Sequence, residues 1–371
     1  MAPIKSTQSI SVGQFLKTFR SRDAVGPTAL NSPVVTSRSN TYTASGGTKV
    51  LGSDGYTYHI FQKGNTDNFV VSAAPGEAAG LEVLLVAGGG GGGIQHGGGG
   101  GAGAVYHNPS YAIAVGSYTV NIGAGGASMS VGNPSVFNDV TMSGGGKGGQ
   151  MNNPGNAGGS GGGGGMNTNN PGPATPVPGG SVLAPPTTPT SSPFLKVNAG
   201  GGGAPYYAHG SGGIGGGGGG AGGAGTTAPP GPGLQSPESR GGDDYLFSSI
   251  PTPVMPEIAA ALGTPTIFLG VPVSQPESYK RAFGGGGAGG SHVPWGIYNP
   301  GWPGYINHPD VADPMGGGSL NRTGGLGGLG NSQVGDPGVE GRGGGGGGSG
   351  QTPSAGGRGG AGVCIIKYIS E

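Results

Sequence analysis

Charge is scarce in this chain of 371 residues. Only 9 % of residues are Asp, Glu, Lys or Arg, and sixteen basic residues balance sixteen acidic ones. An average globular protein carries about 25 %. The missing basic surplus excludes the usual electrostatic footprint of a nucleic-acid or anionic-membrane binder. Cysteine occurs once, as Cys364, so no intrachain disulfide can brace the fold. Within the run VCIIKYI it reads as a small buried apolar side chain. Aromatic residues are few, at 6 %. No apolar run approaches the ~20 residues of a membrane span. The start, MAPIKSTQSI, lacks the apolar core of a secretory signal. Membrane insertion is therefore not expected, and cell lysis would suffice to bring the protein outside a cell.

What the chain has instead is glycine, 96 residues, with 33 prolines. So much Gly and Pro without a collagen period normally signals low complexity. Yet the glycine tracts are separated by apolar and aromatic residues, which a solvated linker does not need. Residues 83–105, VLLVAGGGGGGIQHGGGGGAGAV, pose the question sharply. A strand-like apolar run leads straight into the residue that loses most entropy on ordering.

Contiguous glycines exclude collagen, which needs Gly at every third place. An α-helix is excluded by about 1 kcal/mol per Gly. The polyproline-II conformation remains, with three residues per turn, ~3.1 Å rise and no internal hydrogen bonds. Every N–H and C=O then points sideways and must find a neighbouring tract. Fixing a residue costs about 1–2 kcal/mol, whereas a hydrogen bond returns about 0.5–1.5. A single pair of tracts is thus unstable, and only a stack holds. The expected fold class is mainly β with extensive irregular structure: a small β core, a polyglycine-II array forming a slab, and long loops.

Along the chain, residues 1–40 stand apart, with little glycine. Val12, Phe15, Leu16 and Phe19 follow the i, i+3, i+4, i+7 spacing of one helical face. This basic segment reads as a docking arm, with packing on its own downstream domain as the alternative. Residues 41–143 read as β-rich with the first glycine tracts: YTYHIF alternates after the turn signal SDG, and NFVVSA, LEVLLVA, YAIAVGSYTVNIG and SVFNDVTM follow. Residues 144–362 alternate glycine tracts with long Pro-, Asn- and Thr-rich connections. Residues 363–371 hold a closing C-terminal strand, for which LEVLLVA is a natural partner.

GSDGYTYHIF, EVLLVAGGGGGG, GSYTVNIGAGGA, VFNDVTMSGGG and GGAGVCIIKYI resemble glycine-rich virion proteins of tailed phages, particularly of marine cyanobacterial phages. The likeness covers about 41–149 and 356–369. Glycine tracts joined by irregular loops are also similar in texture to the tail-fibre tip adhesins of T-even-type phages. The resemblance implies a polyglycine-II sandwich whose loops at one end bind the bacterial surface. It implies other virion proteins as partners of residues 1–40, and a host surface polysaccharide or outer-membrane protein as the target. It also implies location in the virion, assembled in the host cytoplasm and released by lysis.

Glycine-rich sequence generates empty motifs. GGSGG at 158–162 lacks the strand–turn–helix context of a nucleophile elbow. GGGKGG at 144–149 lacks the Ser or Thr of a P-loop. Arg342 and Arg358 within glycine tracts read as interruptions at the slab surface rather than as RNA-binding segments. The six histidines do not cluster at metal-ligand spacing; His292 and His308 with Asp310 and Asp313 are a loose grouping. No metal, cofactor or catalytic residue is expected, and no carboxylate pair suggests glycoside cleavage.

One segment stands out, SHVPWGIYNPGWPGYINHPD at 291–310. It holds both tryptophans, Trp295 and Trp302, with Tyr298 and Tyr305. Pro and Gly break it into a loop, and loop aromatics suit stacking on a sugar or filling a partner's pocket. Tyr206 and Tyr207 form a weaker counterpart. A local core beneath the loop is the competing reading. The function expected is a non-enzymatic virion protein, a tail-fibre or appendage adhesin; the alternative is capsid decoration without receptor binding. A homo-oligomer is left open.

Overall fold

Short strands and glycine tracts alternate along the chain, and the tracts grow out of the strand ends. The computed structural model describes residues 41–75, 80–168, 175–183, 194–203, 214–227, 240–249, 258, 260–261, 282–290, 323–325, 327, 334–350 and 354–369. The chain divides into two compact units, Met1–Ser39 and Asn40–Glu371, and all described residues belong to the second. The strands are β1 (Thr43–Ser45), β2 (Thr48–Leu51), β3 (Tyr56–Gln62), β4 (Phe69–Ala73), β5 (Leu81–Val86), β6 (Val105–Tyr111), β7 (Gly116–Tyr118), β8 (Val120–Asn121), β9 (Ser135–Phe137), β10 (Val140–Met142), β11 (Leu195–Lys196), β12 (Tyr245–Leu246), β13 (Ala282–Phe283) and β14 (Val363–Ile369). Among the described residues, helix is confined to Ile258, Ala260 and Ala261.

The main sheet has six antiparallel strands in the order β11-β6-β5-β14-β3-β2. β14 lies between β5 and β3, with Ile365 opposite both Leu84 and Ile60. VCIIKYI therefore does pair with LEVLLV. Both runs are almost continuously apolar because both faces of this sheet are covered. On one face Phe61, Val83, Leu85, Cys364 and Ile366 pack with Phe69, Val71, Phe137 and Met142 from the small sheets β1-β4-β7 and β10-β9-β8. On the other, Tyr58, Ile60, Leu84, Val86 and Ile365 pack with Phe247, Ile258 and Phe283. Cys364 is buried, and burial pushes its thiol pKa well up.

β6 carries Pro109 within its span and was not expected as a strand. Its pairing with β5 slips between Leu81 and Val83, so residues 109–110 fall in a bulge where no ladder N–H is required.

The tracts form a lattice with a period of three. The N–H groups of Ala87, Gly90 and Gly93 donate to the carbonyls of Ala104, Gly101 and Gly98, at 2.8–3.0 Å. Gly88 and Gly91 donate to Asn133 and Ser130, and Gly89 and Gly92 to Gly360 and Gly357. The carbonyls follow the same rule. Those of Gly88 and Gly91 accept from Gly145 and Gly148, those of Gly89 and Gly92 from Gly126 and Met129, and those of Gly90 and Gly93 from Gly346 and Ser349. Each residue turns a third of a revolution from the last, as polyproline-II geometry demands. Tract 88–93 thereby has a neighbour in each of six directions. Tract 97–104 is likewise surrounded, by 87–93, 143–149, 160–163, 216–219, 287–290 and 343–349. These buried backbone groups are paired without a conventional sheet, which satisfies the accounting that burial imposes.

Candidate functional site

The array has two ends. Near the sheets, β5 runs into the tract beginning at Ala87, β10 into that at Ser143 and β13 into that at Gly284, while two further tracts lead into β6 and β14. The opposite end is a layer tied together by Gly97 donating to Ser349, Gly290 to Gly97, Gly215 to Gly290 and Met166 to His96. Gly203 and Val177 exchange both bonds beside it. Tight turns close part of this layer. Gln95 and His96 adopt φ of 56° and 55°, and Asn152 a φ of 65°. The Gln95 N–H donates to Ser349 Oγ at 3.1 Å, and Asn152 Nδ2 donates to Thr168 Oγ1 at 2.7 Å. Gly97, Gly203, Gly215, Gly290 and Ser349 of this layer are buried, and Gln95, Asn152 and Thr168 at its turns are half-buried.

The sequence-predicted binding residues, Trp295, Tyr298, Trp302, Tyr305, Tyr206 and Tyr207, lie outside the described residues, as do His292, His308, Asp310 and Asp313. So do Val12, Phe15, Leu16 and Phe19 of the arm. The points from which the two aromatic segments set out are described: Gly203 and Gly290 both belong to the layer away from the sheets.

At the sheet end the strands bring together side chains that sequence reading did not single out. Glu82 stands opposite Lys367 across β5 and β14, with Oε2 3.2 Å from Nζ. Lys367 Nζ also donates to the Ser249 carbonyl at 2.7 Å and lies 4.3 Å from the centre of the Tyr56 ring. His107 Nε2 is 2.8 Å from Glu82 Oε1, and Nδ1 is 2.5 Å from the Tyr245 hydroxyl. A carboxylate only accepts, so Nε2 carries a proton and donates to Glu82, while Nδ1 shares a hydrogen bond with the Tyr245 hydroxyl. Burial pushes the Glu82 carboxyl up, but hydrogen bonds from His107, Ser249 and Lys367 and the Lys367 charge outweigh it and hold it below the usual range. A cavity of about 240 Å³ touches Glu82 and Lys367 but not His107. The group is a clamp fixing β12 and its flank onto the main sheet. Each of three strands, LEVLLV, VYHNPSY and VCIIKYI, holds one Glu, His or Lys.

A second buried group pins the far tracts. Asp244 Oδ1 accepts from the N–H of Thr323 at 3.2 Å and from its hydroxyl, and Thr323 Oγ1 accepts from Gly285 at 2.6 Å. Arg342 is wholly buried, donates to the Ala282 carbonyl at 3.0 Å and stacks 4.8 Å from the Phe283 ring centre. Arg358 is at the slab surface, as expected, but Arg342 is not: it fills the junction of tract and core. Among the described residues no three His, Cys, Asp or Glu side chains gather as a metal site.

The sequence model of a family described as a glycine-rich domain matches residues 64–369. The chain belongs to that glycine-rich domain family. No curated protein matches it. The matched span takes in β4 to β14 and the glycine tracts and leaves β1, β2 and β3 outside.

The lattice also explains where side chains are allowed. Along 334–340, Val334, Pro337 and Glu340 are exposed and Gly335 and Gly338 buried. Along 355–360, Ala355 and Arg358 are exposed and the glycines between and after them buried. In their tract Lys147 and Gln150 are half-buried, and the glycines between them buried. In these lateral tracts every third side chain faces solvent, while inside the array the side chains present are small, as at Ala102, Ser160, Ala288 and Ser349, all fully buried. The x-G-G-x spacing in the sequence was the unused signal.

Proposed function

We propose that the protein is a non-enzymatic structural component of a phage particle, an appendage or tail-fibre adhesin whose array presents binding segments to a host surface. The observation that carries this is the layer formed by Gly97, Gly203, Gly215, Gly290 and Ser349. It ends a lattice bonded in every direction, and the chain leaves it toward both aromatic segments. Tyr206 follows Gly203 by three residues in the sequence, and Trp295 follows Gly290 by five. A stiff array with adhesive segments at one end transmits force without chemistry, so no catalytic constellation is required.

The low charge supports contact through hydrogen bonds and aromatic stacking, as with a surface polysaccharide. The test is immunogold labelling of particles from a lysate, with antibody to the purified protein, beside binding of that protein to host cells. Gold on a tail appendage with saturable cell binding is expected. Gold on the capsid without cell binding would replace the adhesin with a decoration protein, and no gold on particles would end the virion reading.

A further inference from the structure

Tract 354–362 has four of the six neighbours that an interior tract has. Its Gly357 and Gly360 amides donate to Gly347 and Gly344, and Gly359 and Gly362 donate to Gly126 and Gly123. The carbonyls of Gly357 and Gly360 accept from Gly92 and Gly89, and those of Ala355 and Arg358 from Gly335 and Gly338. One row of donors and one of acceptors remain. In the donor row the Ala361 N–H donates to Glu340 Oε2 at 2.8 Å. Among the described residues, no acceptor faces the N–H of Ala355 or Arg358, and no donor faces the carbonyl of Gly356 or Gly359. Among the described residues, two adjacent places of the lattice beside this tract therefore hold no neighbour.

An open groove of about 490 Å³ lies along this edge. Ala127 and Ser128 form one side, Gly335 and Pro337 the other, and Gly356 and Gly357 the floor. The waiting donors are one turn of three residues apart, ~9 Å in this conformation. Glu340 already places a carboxylate oxygen at the third donor, where a neighbouring tract would place a carbonyl. The Arg358 guanidinium pairs with the same carboxylate.

We propose that this groove seats one extended, glycine-rich segment of a partner polypeptide, which takes the next place in the lattice. The segment is a G-G-x repeat in polyproline-II form. Its carbonyls accept from Ala355 and Arg358, its glycines face the floor, and its third residue points to solvent. This is strand addition transposed from a sheet edge to a glycine lattice. It does not depend on the virion reading.

The probe is a fluorescein-labelled (Gly-Gly-Asn)5 peptide, titrated to 1 mM against the full chain and followed by anisotropy. Saturable binding is expected, lost for (Gly-Val-Asn)5 and weakened at least tenfold by Ala127→Trp, which fills the groove from its exposed wall. Amide exchange at Ala355 and Arg358 should slow at least tenfold with peptide, while that of Gly357 stays unchanged. If Ala127→Trp fails to fold, Pro337→Lys on the opposite wall carries the same test. Concentration-dependent self-association abolished by either variant would support the proposal, with a second copy supplying the segment. No saturable binding, equal binding of the valine peptide, or indifference to both variants would overturn it.

Discussion

Gly345 lies against Gly100 so closely that a Cβ built on Gly345 would overlap the Gly100 carbonyl oxygen. Gly217 stands in the same relation to the Arg240 carbonyl. Neither obstacle is a side chain that can swing away; both are backbone held by hydrogen bonds on several sides. Gly345→Val or Gly217→Val should therefore cost at least about 3 kcal/mol, beyond ordinary overpacking, and leave little soluble protein. Ala355→Val, at an outward third position, should shift the melting temperature by no more than about 2 °C, within the range of a surface change. Equal melting temperatures for Gly345→Val and Ala355→Val would contradict the lattice.

Much of this fold could be read in advance, for physical reasons. Leu81–Val86 and Val363–Ile369 are apolar on both alternations, which only a doubly covered strand needs, and they pair. Glycine runs between them exclude helix and leave one conformation that can be close-packed. Other features were not legible. Pro109 disguises a strand because its bulge is set by pairing with β5, a long-range event. Arg342 looks like Arg358 in local sequence, yet one meets Phe283 and the other meets water. The polar clamp draws Glu82, His107, Tyr245 and Lys367 from widely separated stretches, so spacing along the chain held no trace of it.

Asp244 should make stability fall as pH rises. Burial pushes its carboxyl up to about 8; bonds from Thr323 oppose this, the Asp243 charge adds to it and the Arg342 charge subtracts. An unfolded Asp titrates near 3.9. Between about 4 and 8 the native state thus holds a proton that the unfolded chain has lost, and stability drops by up to ~1.4 kcal/mol per pH unit. Thermal melts at pH 5 and pH 8.5 should differ, with the lower melting temperature at 8.5. Asp244→Asn should flatten that difference. A variant as pH-sensitive as the parent would show that Asp244 is ionised in the native protein.

Glu82 acts with the opposite sign. Its folded pKa is lowered, so the stability it contributes is present above its unfolded value, near 4.3, and lost as pH falls through the folded value. Together the two carboxyls place the stability maximum at about pH 4–5. At neutral pH, Lys367→Met alone leaves a half-buried carboxylate without its cation and should cost about 1–3 kcal/mol, less than for a fully buried pair. Lys367→Met with Glu82→Gln should recover a large part of that loss. Additive single and double changes in a denaturant titration would mean that the pair is not coupled.

Residues 1–39 form a unit separate from 40–371. A chain starting at Asn40 should keep the parent melting temperature within about 2 °C, since the described core clusters begin at Tyr42. Under the proposed role it should fail to enter particles, because the apolar stripe of Val12, Phe15, Leu16 and Phe19 is removed. Particles assembled with normal amounts of the truncated protein would remove the docking role from this segment.

Trp295 and Trp302 provide the most direct test of adhesion. Both sit in a segment broken by Pro and Gly, and that segment sets out from Gly290 in the layer opposite the sheets. Among the described residues, the packed clusters on the two faces of the main sheet are filled by Phe61, Phe69 and Phe137 on one side and by Tyr58, Phe247 and Phe283 on the other. Aromatic hot spots typically cost about 2 kcal/mol or more when truncated, and every 1.4 kcal/mol is about tenfold in affinity. Replacing both tryptophans with Ala should then weaken binding of purified protein to host cells by about 30-fold or more, with the melting temperature unchanged within about 2 °C. The two measurements separate the roles. Unchanged binding with a large fall in melting temperature would make the rings a satellite core. Lost binding at constant stability assigns them to the contact surface, where Tyr298 and Tyr305 would be the next residues to truncate.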